Sequence, residues 1–249
     1  VRGGEDGGRG ARAGRAAAAA ALIATAGGAV GCSSDVLDVD VALAPQTYGA
    51  DFGAAAGEIP AVACEPQVAD SCGGPGTLEV AASAGEAQLS TGCDPGTARC
   101  YVQADVRVAR SVAVLQEDGF VAQVKRESLA FVRIVDLAYT VPTNSLTFDL
   151  PEVTVYVGPE GTTRETDPGV HPIAAMPALA AGATVIDPPG HLTLADESPA
   201  HDFIEWSVRE RLPFVFVMSF APRLDSGAPI PAGAVEIVLA PMLRIGLPR

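Results

Sequence analysis

Lysine is almost missing from this 249-residue chain: Lys125 stands alone beside fifteen arginines. Basic residues are scarce altogether, with 16 Lys and Arg against 30 Asp and Glu and a formal net charge of −14. Phosphate recognition needs a basic surface, so nucleic acid is excluded as a partner. Histidine occurs three times, as His171, His191 and His201. None of these belongs to an H-x-H, H-E-x-x-H or H-x-x-x-H pattern, so no metal-ligand spacing is present. G-x-S-x-G and S-x-x-K are both missing, as is any glycine-rich loop ending in G-K-[ST], which leaves no signature of an acyl-transfer nucleophile or a phosphate loop. Aromatic residues make up only 5% of the chain, with one tryptophan, too few for the stacked rings of a sugar site.

The remaining candidates for chemistry are weak on spacing alone. Asp38 with Asp40, and Asp196 with Glu197, pair carboxylates as a glycosidase or a calcium site would, yet no D-x-D-x-D-G loop accompanies them. His201 and Asp202 supply two members of a hydrolytic triad, but they sit at the start of a helical pattern, where charge at the helix end is much the better explanation. No cofactor and no metal is expected.

What the chain does contain begins with an export pattern. Arg2, Arg9, Arg12 and Arg15 precede an uncharged run of 15 residues, Ala16 to Val30, in the order of a secretory signal. A membrane-spanning helix needs roughly 20 apolar residues, so removal after export is expected rather than permanent insertion. Two processing points compete: the "ATA" of residues 24–26 and the bond before Cys32. Setting residues 1–31 aside removes four basic and two acidic groups, leaving 12 against 28, a net charge of −16. Such a surface does not adhere electrostatically to anionic lipids.

Ala29, Val30, Gly31 and Cys32 resemble the lipobox of bacterial lipoproteins, with alanine where leucine is usual. The resemblance covers these four positions and the run before them. It implies diacylglycerol on the Cys32 thiol, a new N-terminus there and attachment to the membrane through acyl chains. Cysteine parity agrees: of five cysteines, setting Cys32 aside leaves Cys64, Cys72, Cys93 and Cys100, an even set for an oxidising compartment. The local pairing, Cys64 with Cys72 and Cys93 with Cys100, is the preferred one of three. Ser33, in place of aspartate after the anchor, implies passage to the outer membrane.

Residues 32–60 read as the lipidated N-terminus and a tether, interrupted by the alternation "VLDVDVAL", in which Val39, Val41 and Leu43 oppose Asp38 and Asp40. Residues 61–249 read as one all-β domain with two disulfides. Val102, Ala104, Val106 and Val108 alternate with polar residues, and apolar runs follow at 129–141, 152–158, 213–222 and 234–247. Clusters such as "PTNS", "GPEGTT" and "DPPG" bound them. This is the spacing of an antiparallel β-sandwich or a partly open barrel. One short helix is expected near 199–211. Ser198 would cap it, Pro199 would open it, Ile204, Val208 and Leu212 would face the sheet, and Phe203 and Trp206 would flank them.

The order of anchor, cysteine-rich turn region and "YTVPTNSLTFDLPEVTVYVGPEG" resembles predicted envelope lipoproteins of GC-rich bacteria. "NSLTFDLPEVTVYVG" and "MPALAAGATV" are distantly similar to the β-sandwich of late-embryogenesis-abundant type 2 proteins, which implies a sandwich and transfers no functional residue. The expectation is a lipid-anchored envelope protein acting as a non-enzymatic structural or binding module. Two alternatives stand beside it: a carrier of an apolar ligand, and an envelope hydrolase whose site is assembled from loops.

Overall fold

The computed structural model describes residues 36–53, 81–82, 85–94, 96–97, 99–114, 124–125, 128–194, 199–225 and 227–248. Two antiparallel sheets, one of them curled, form an all-β sandwich with one short helix, the architecture expected from the strand spacing. All of the described elements lie within the unit Ser34–Arg249.

The first sheet is organised by its longest strand, β13 (Ala234–Pro248). Along one side of it run β2 (Gln46–Asp51), opposite Ala234 to Leu239, and β1 (Val36–Ala42), opposite Met242 to Pro248. Along the other side runs β6 (Phe131–Asn144), whose outer edge carries β9 (Val185–His191), while β3 (Ala81–Ala82) extends β2. In the second sheet β5 (Arg99–Val112) pairs with β4 (Gly85–Asp94), and on its other side with β11 (Phe214–Phe220) and β12 (Arg223–Asp225). Beyond β11 lie β7 (Val153–Pro159), β8 (His171–Met176) and β10 (Thr193–Leu194).

Alternation sends one row of each strand into the space between the sheets. On β5 the predicted row Val102, Ala104, Val106 and Val108 is buried, and on β13 the matching row is Val235, Ile237, Leu239, Leu243 and Ile245. In β6 the parity changes: Val132 and Ile134 face inward, then Leu137, Tyr139 and Val141. The change coincides with a register shift between Met242 and Leu243 of the partner strand, a β-bulge whose extra residue turns the following side chains over.

Helix α1 (Pro199–Glu210) packs on β6, β7 and β8 at one end of the sandwich. Ala200, Ile204 and Val208, four residues apart, form its buried stripe. Burying the two larger ones contributes roughly 1.5–3 kcal/mol each. Leu212, expected to continue the stripe, is instead 45% exposed, because the helix has already ended. There the N–H of Leu212 donates to the Ser207 carbonyl (2.9 Å) and the N–H of Arg211 to that of Val208 (3.2 Å), with Arg211 at φ 59°. This is a Schellman stop with arginine where glycine is usual. Trp206 was expected at the flank of this stripe. It is 51% exposed and lies against Phe203, ring centroids 6.0 Å apart.

Three further expectations are corrected. The stretch 46–51, expected to belong to a tether, is a strand: Tyr48 and Ala50 point into the core while the backbone pairs with β13. The domain therefore includes β1 and β2 and does not begin at residue 61. "DPPG", expected as a boundary, lies within β9, and "PTN" continues β6. Proline is tolerated in β9 because the strand forms the sheet edge, where a missing N–H removes no ladder bond.

Glycines facing aromatic rings are a recurring device that alternation does not reveal. Gly92 stands opposite Tyr101, Gly190 opposite Tyr139 and Gly246 opposite Phe131 in the ladders. In each pair a Cβ on the glycine would run into the ring, so the ring packs flat over bare backbone.

Candidate functional site

The expected site residues are scattered. Cys32, Cys64, Cys72, Asp196, Glu197 and Ser198 lie outside the described residues. Cys93 and Cys100 are directly opposite each other in the β4–β5 ladder, and Cys100 is buried. Opposed residues of antiparallel strands have Cα atoms about 4.5–5.5 Å apart, inside the span of a disulfide. Between them Asp94 Oδ1 accepts the N–H of Gly96 (2.8 Å) and of Thr97 (3.3 Å), forming the turn that "DPG" suggests. The Gly96 bond is the first cause holding the Asp94 carboxyl below its ordinary pKa; Thr97 and Arg223 act in the same direction. Arg223 both pairs with Asp94 and lies over the Tyr101 ring, 3.9 Å from its centroid.

Asp38 and Asp40 do lie on the outer face of β1, as the alternation requires, but the two carboxylates do not form a joint site. Arg244, opposite Asp40 in the ladder, donates to it through Nε (2.6 Å) and Nη2 (2.9 Å). This hydrogen-bonded guanidinium holds the Asp40 carboxyl below its usual range, burial opposing it only in part. A carboxylate engaged in this way is a cross-strand tie rather than a free base.

The three histidines are also apart. His171 opens β8 and stacks loosely on Phe203, ring centroids 6.2 Å apart. His201 and Asp202 are adjacent in the first turn of α1, where consecutive side chains diverge by about 100° and do not face each other. His191 meets a carboxylate: its Nδ1 lies 2.9 and 3.1 Å from the two oxygens of Asp136. The β6 bulge presents Asp136 on the outer face there, next to the end of β9. No sequence spacing announces this pair, since 55 residues separate its members. A carboxylate that orients an imidazole is two-thirds of a relay, but no hydroxyl or thiol among the described residues bonds to His191. The arrangement is a surface ion pair in the protonated state and a hydrogen bond otherwise.

A shallow cleft of about 310 Å³ lies at the far end of the first sheet, lined by residues that include Asp51, Thr143 and Glu236. Asp51 Oδ1 already accepts the N–H of Gly53 at 2.8 Å. The interior between the sheets is occupied by large side chains, among them Tyr48, Phe214, Phe216, Met176, Met218 and Leu150, each under 2% exposed. Among the described residues no group of three His, Cys, Asp or Glu side chains is placed to hold a metal ion, and no helix is long and apolar enough to cross a membrane. Comparison with protein families, with curated proteins and with solved structures returns no match to the chain.

Proposed function

We propose that the protein is a lipid-anchored component of a bacterial cell envelope, held by acyl chains on Cys32, whose β-sandwich serves as a non-enzymatic structural or binding module of the outer membrane. The observation that carries this reading is Cys32 itself, placed directly after small residues at the end of a basic and then apolar segment. Cysteine parity supports it, because Cys93 and Cys100 are already matched in register, and setting Cys32 aside leaves Cys64 with Cys72. The module reading is supported by outer faces on which Asp40 and Asp136 are engaged with Arg244 and His191.

Growth of a producing bacterium with an alkyne-tagged fatty acid tests the reading. The wild-type chain takes up the tag, Cys32→Ala does not, and globomycin causes the unprocessed form to accumulate. An untagged wild-type chain would overturn the anchor.

A further inference from the structure

Only residues 33–35 separate Cys32 from the first residue of β1, Val36. Four fully extended residues span at most about 14 Å, so an acylated Cys32 cannot hold the domain far from the headgroups. The spacer expected between anchor and sheet is largely taken up by β1 and β2, and the start of β1 fixes which end of the sandwich is nearest the lipid.

That end is defined by a chain of direct contacts. Leu37 is opposite Leu247, and Gly246 is opposite Phe131 across β13 and β6. The carbonyl of Ala130 accepts Arg209 Nη2 of α1 (2.9 Å), and the N–H of Val132 donates to Glu205 Oε2 (3.2 Å). The start of β1, the start of β6 and the last turns of α1 therefore share one end.

The elements at this end carry exposed large hydrophobic side chains. Among the described residues four are exposed: Leu37 at 50%, Trp206 at 51%, Leu212 at 45% and Ile186 at 59%. The first three belong to this end, whereas Ile186 follows Val185, which pairs with Val141 toward the other end of β6. Arg133, stacked 4.6 Å from the centroid of the Phe131 ring, and Arg209 and Arg211 add long cationic side chains on β6 and at the end of α1. Tryptophan, with an apolar body and a polar N–H, and arginine, which keeps its head in water, suit the bilayer interface.

We propose that this end of the sandwich rests on the membrane surface, with Leu37, Trp206 and Leu212 seated among the lipid headgroups. The inference rests on the Cys32 anchor proposed above. Because the chain left after removal of residues 1–31 carries a net charge of −16, contact with anionic lipid depends on this apolar seat and not on overall attraction.

Trp206 is the only tryptophan, so fluorescence excited at the red edge of the absorption band, where tyrosine does not absorb, reports it alone. The full lipidated protein is reconstituted into phosphatidylcholine–phosphatidylglycerol vesicles with and without a lipid bearing a nitroxide at the headgroup. The expected result is a blue shift and a loss of intensity of about twofold or more, as for an indole at the interface. The double variant Trp206→Phe/Ile186→Trp moves the reporter toward the other end and is expected to stay unquenched. Equal quenching of both proteins, or none of the wild type, overturns the orientation. Mass spectrometry of the same sample separates the two claims: an acylated chain with unquenched Trp206 overturns the seating alone, while an unacylated Cys32 overturns the anchor and the seating together.

Discussion

Replacing Tyr48 with phenylalanine is expected to stabilise the domain. Tyr48 lies on β2 opposite Ile237, is 1% exposed, and its hydroxyl has no hydrogen-bond partner among the described residues. Burial raises the phenol pKa well above its ordinary value, and the nearby Arg110 charge only partly offsets this. An unpaired hydroxyl held away from water costs about 1–3 kcal/mol, while the ring contributes its full apolar contact with or without it. Tyr48→Phe removes the cost and keeps the ring, so a gain of about 1–2 kcal/mol is expected. For a domain of this size that raises Tm by about 2–8 °C. Urea unfolding followed by far-UV circular dichroism measures it, and the slope m should not change, since the surface exposed on unfolding is the same. Tyr48→Ala serves as the control and is expected to lose about 3–5 kcal/mol by opening a cavity. A loss of more than about 1 kcal/mol in Tyr48→Phe would mean that the hydroxyl is satisfied and the reasoning wrong.

Four further outcomes follow from the same physics. Arg211→Gly relieves a left-handed residue at the stop of α1 and is expected to stabilise by about 1 kcal/mol in thermal unfolding; no gain would show that the Arg211 contact with Val124 outweighs the strain. Gly233→Ala places a Cβ against the Ser145 carbonyl at φ 90° and is expected to cost at least about 2 kcal/mol; a neutral variant would refute that close approach. The Asp40 carboxyl is held below its ordinary pKa of 3.8 in the folded protein, so its contribution is fully present above that value and lost as pH falls through the lower folded one. The pair is exposed, so wild type should exceed Asp40→Asn by no more than about 1 kcal/mol at neutral pH, and the gap should close in acid; a gap that widens in acid contradicts the tie to Arg244. Peptide mapping under non-reducing conditions should find Cys93 linked to Cys100, with a loss of about 2–3 kcal/mol on replacing both by serine; a Cys64–Cys93 linkage would contradict the local pairing.

Much of the fold was legible where one face of a strand is buried and the other wet. The alternations at 102–108 and around Asp38 and Asp40, and the stripe of Ile204 and Val208, transferred directly into burial. Elements whose identity depends on their neighbours were not legible. In β2, "QTYGAD" has only Tyr48 as a large inward residue, and β13 supplies its pairing. In β9, two prolines resemble a turn until the strand is seen at a sheet edge. Leu212 continues the helical period in sequence, but the reversal at Arg211 takes it off the buried face. The Asp136–His191 pair depends on a bulge and on a contact between strands distant in sequence, neither of which leaves a local motif. The facing of Gly92, Gly190 and Gly246 by rings was equally hidden, because register is set by the whole sheet.

The claim on which place, orientation and role all depend is the thioether at residue 32. Intact-mass and fragment spectrometry of the N-terminal peptide, taken from protein made in a bacterium that processes it, tests that claim most directly. The expected product is a mature chain whose first residue is Cys32 and whose sulfur carries a diacylglyceryl group. A first residue elsewhere, or an unmodified thiol at that position, would contradict it.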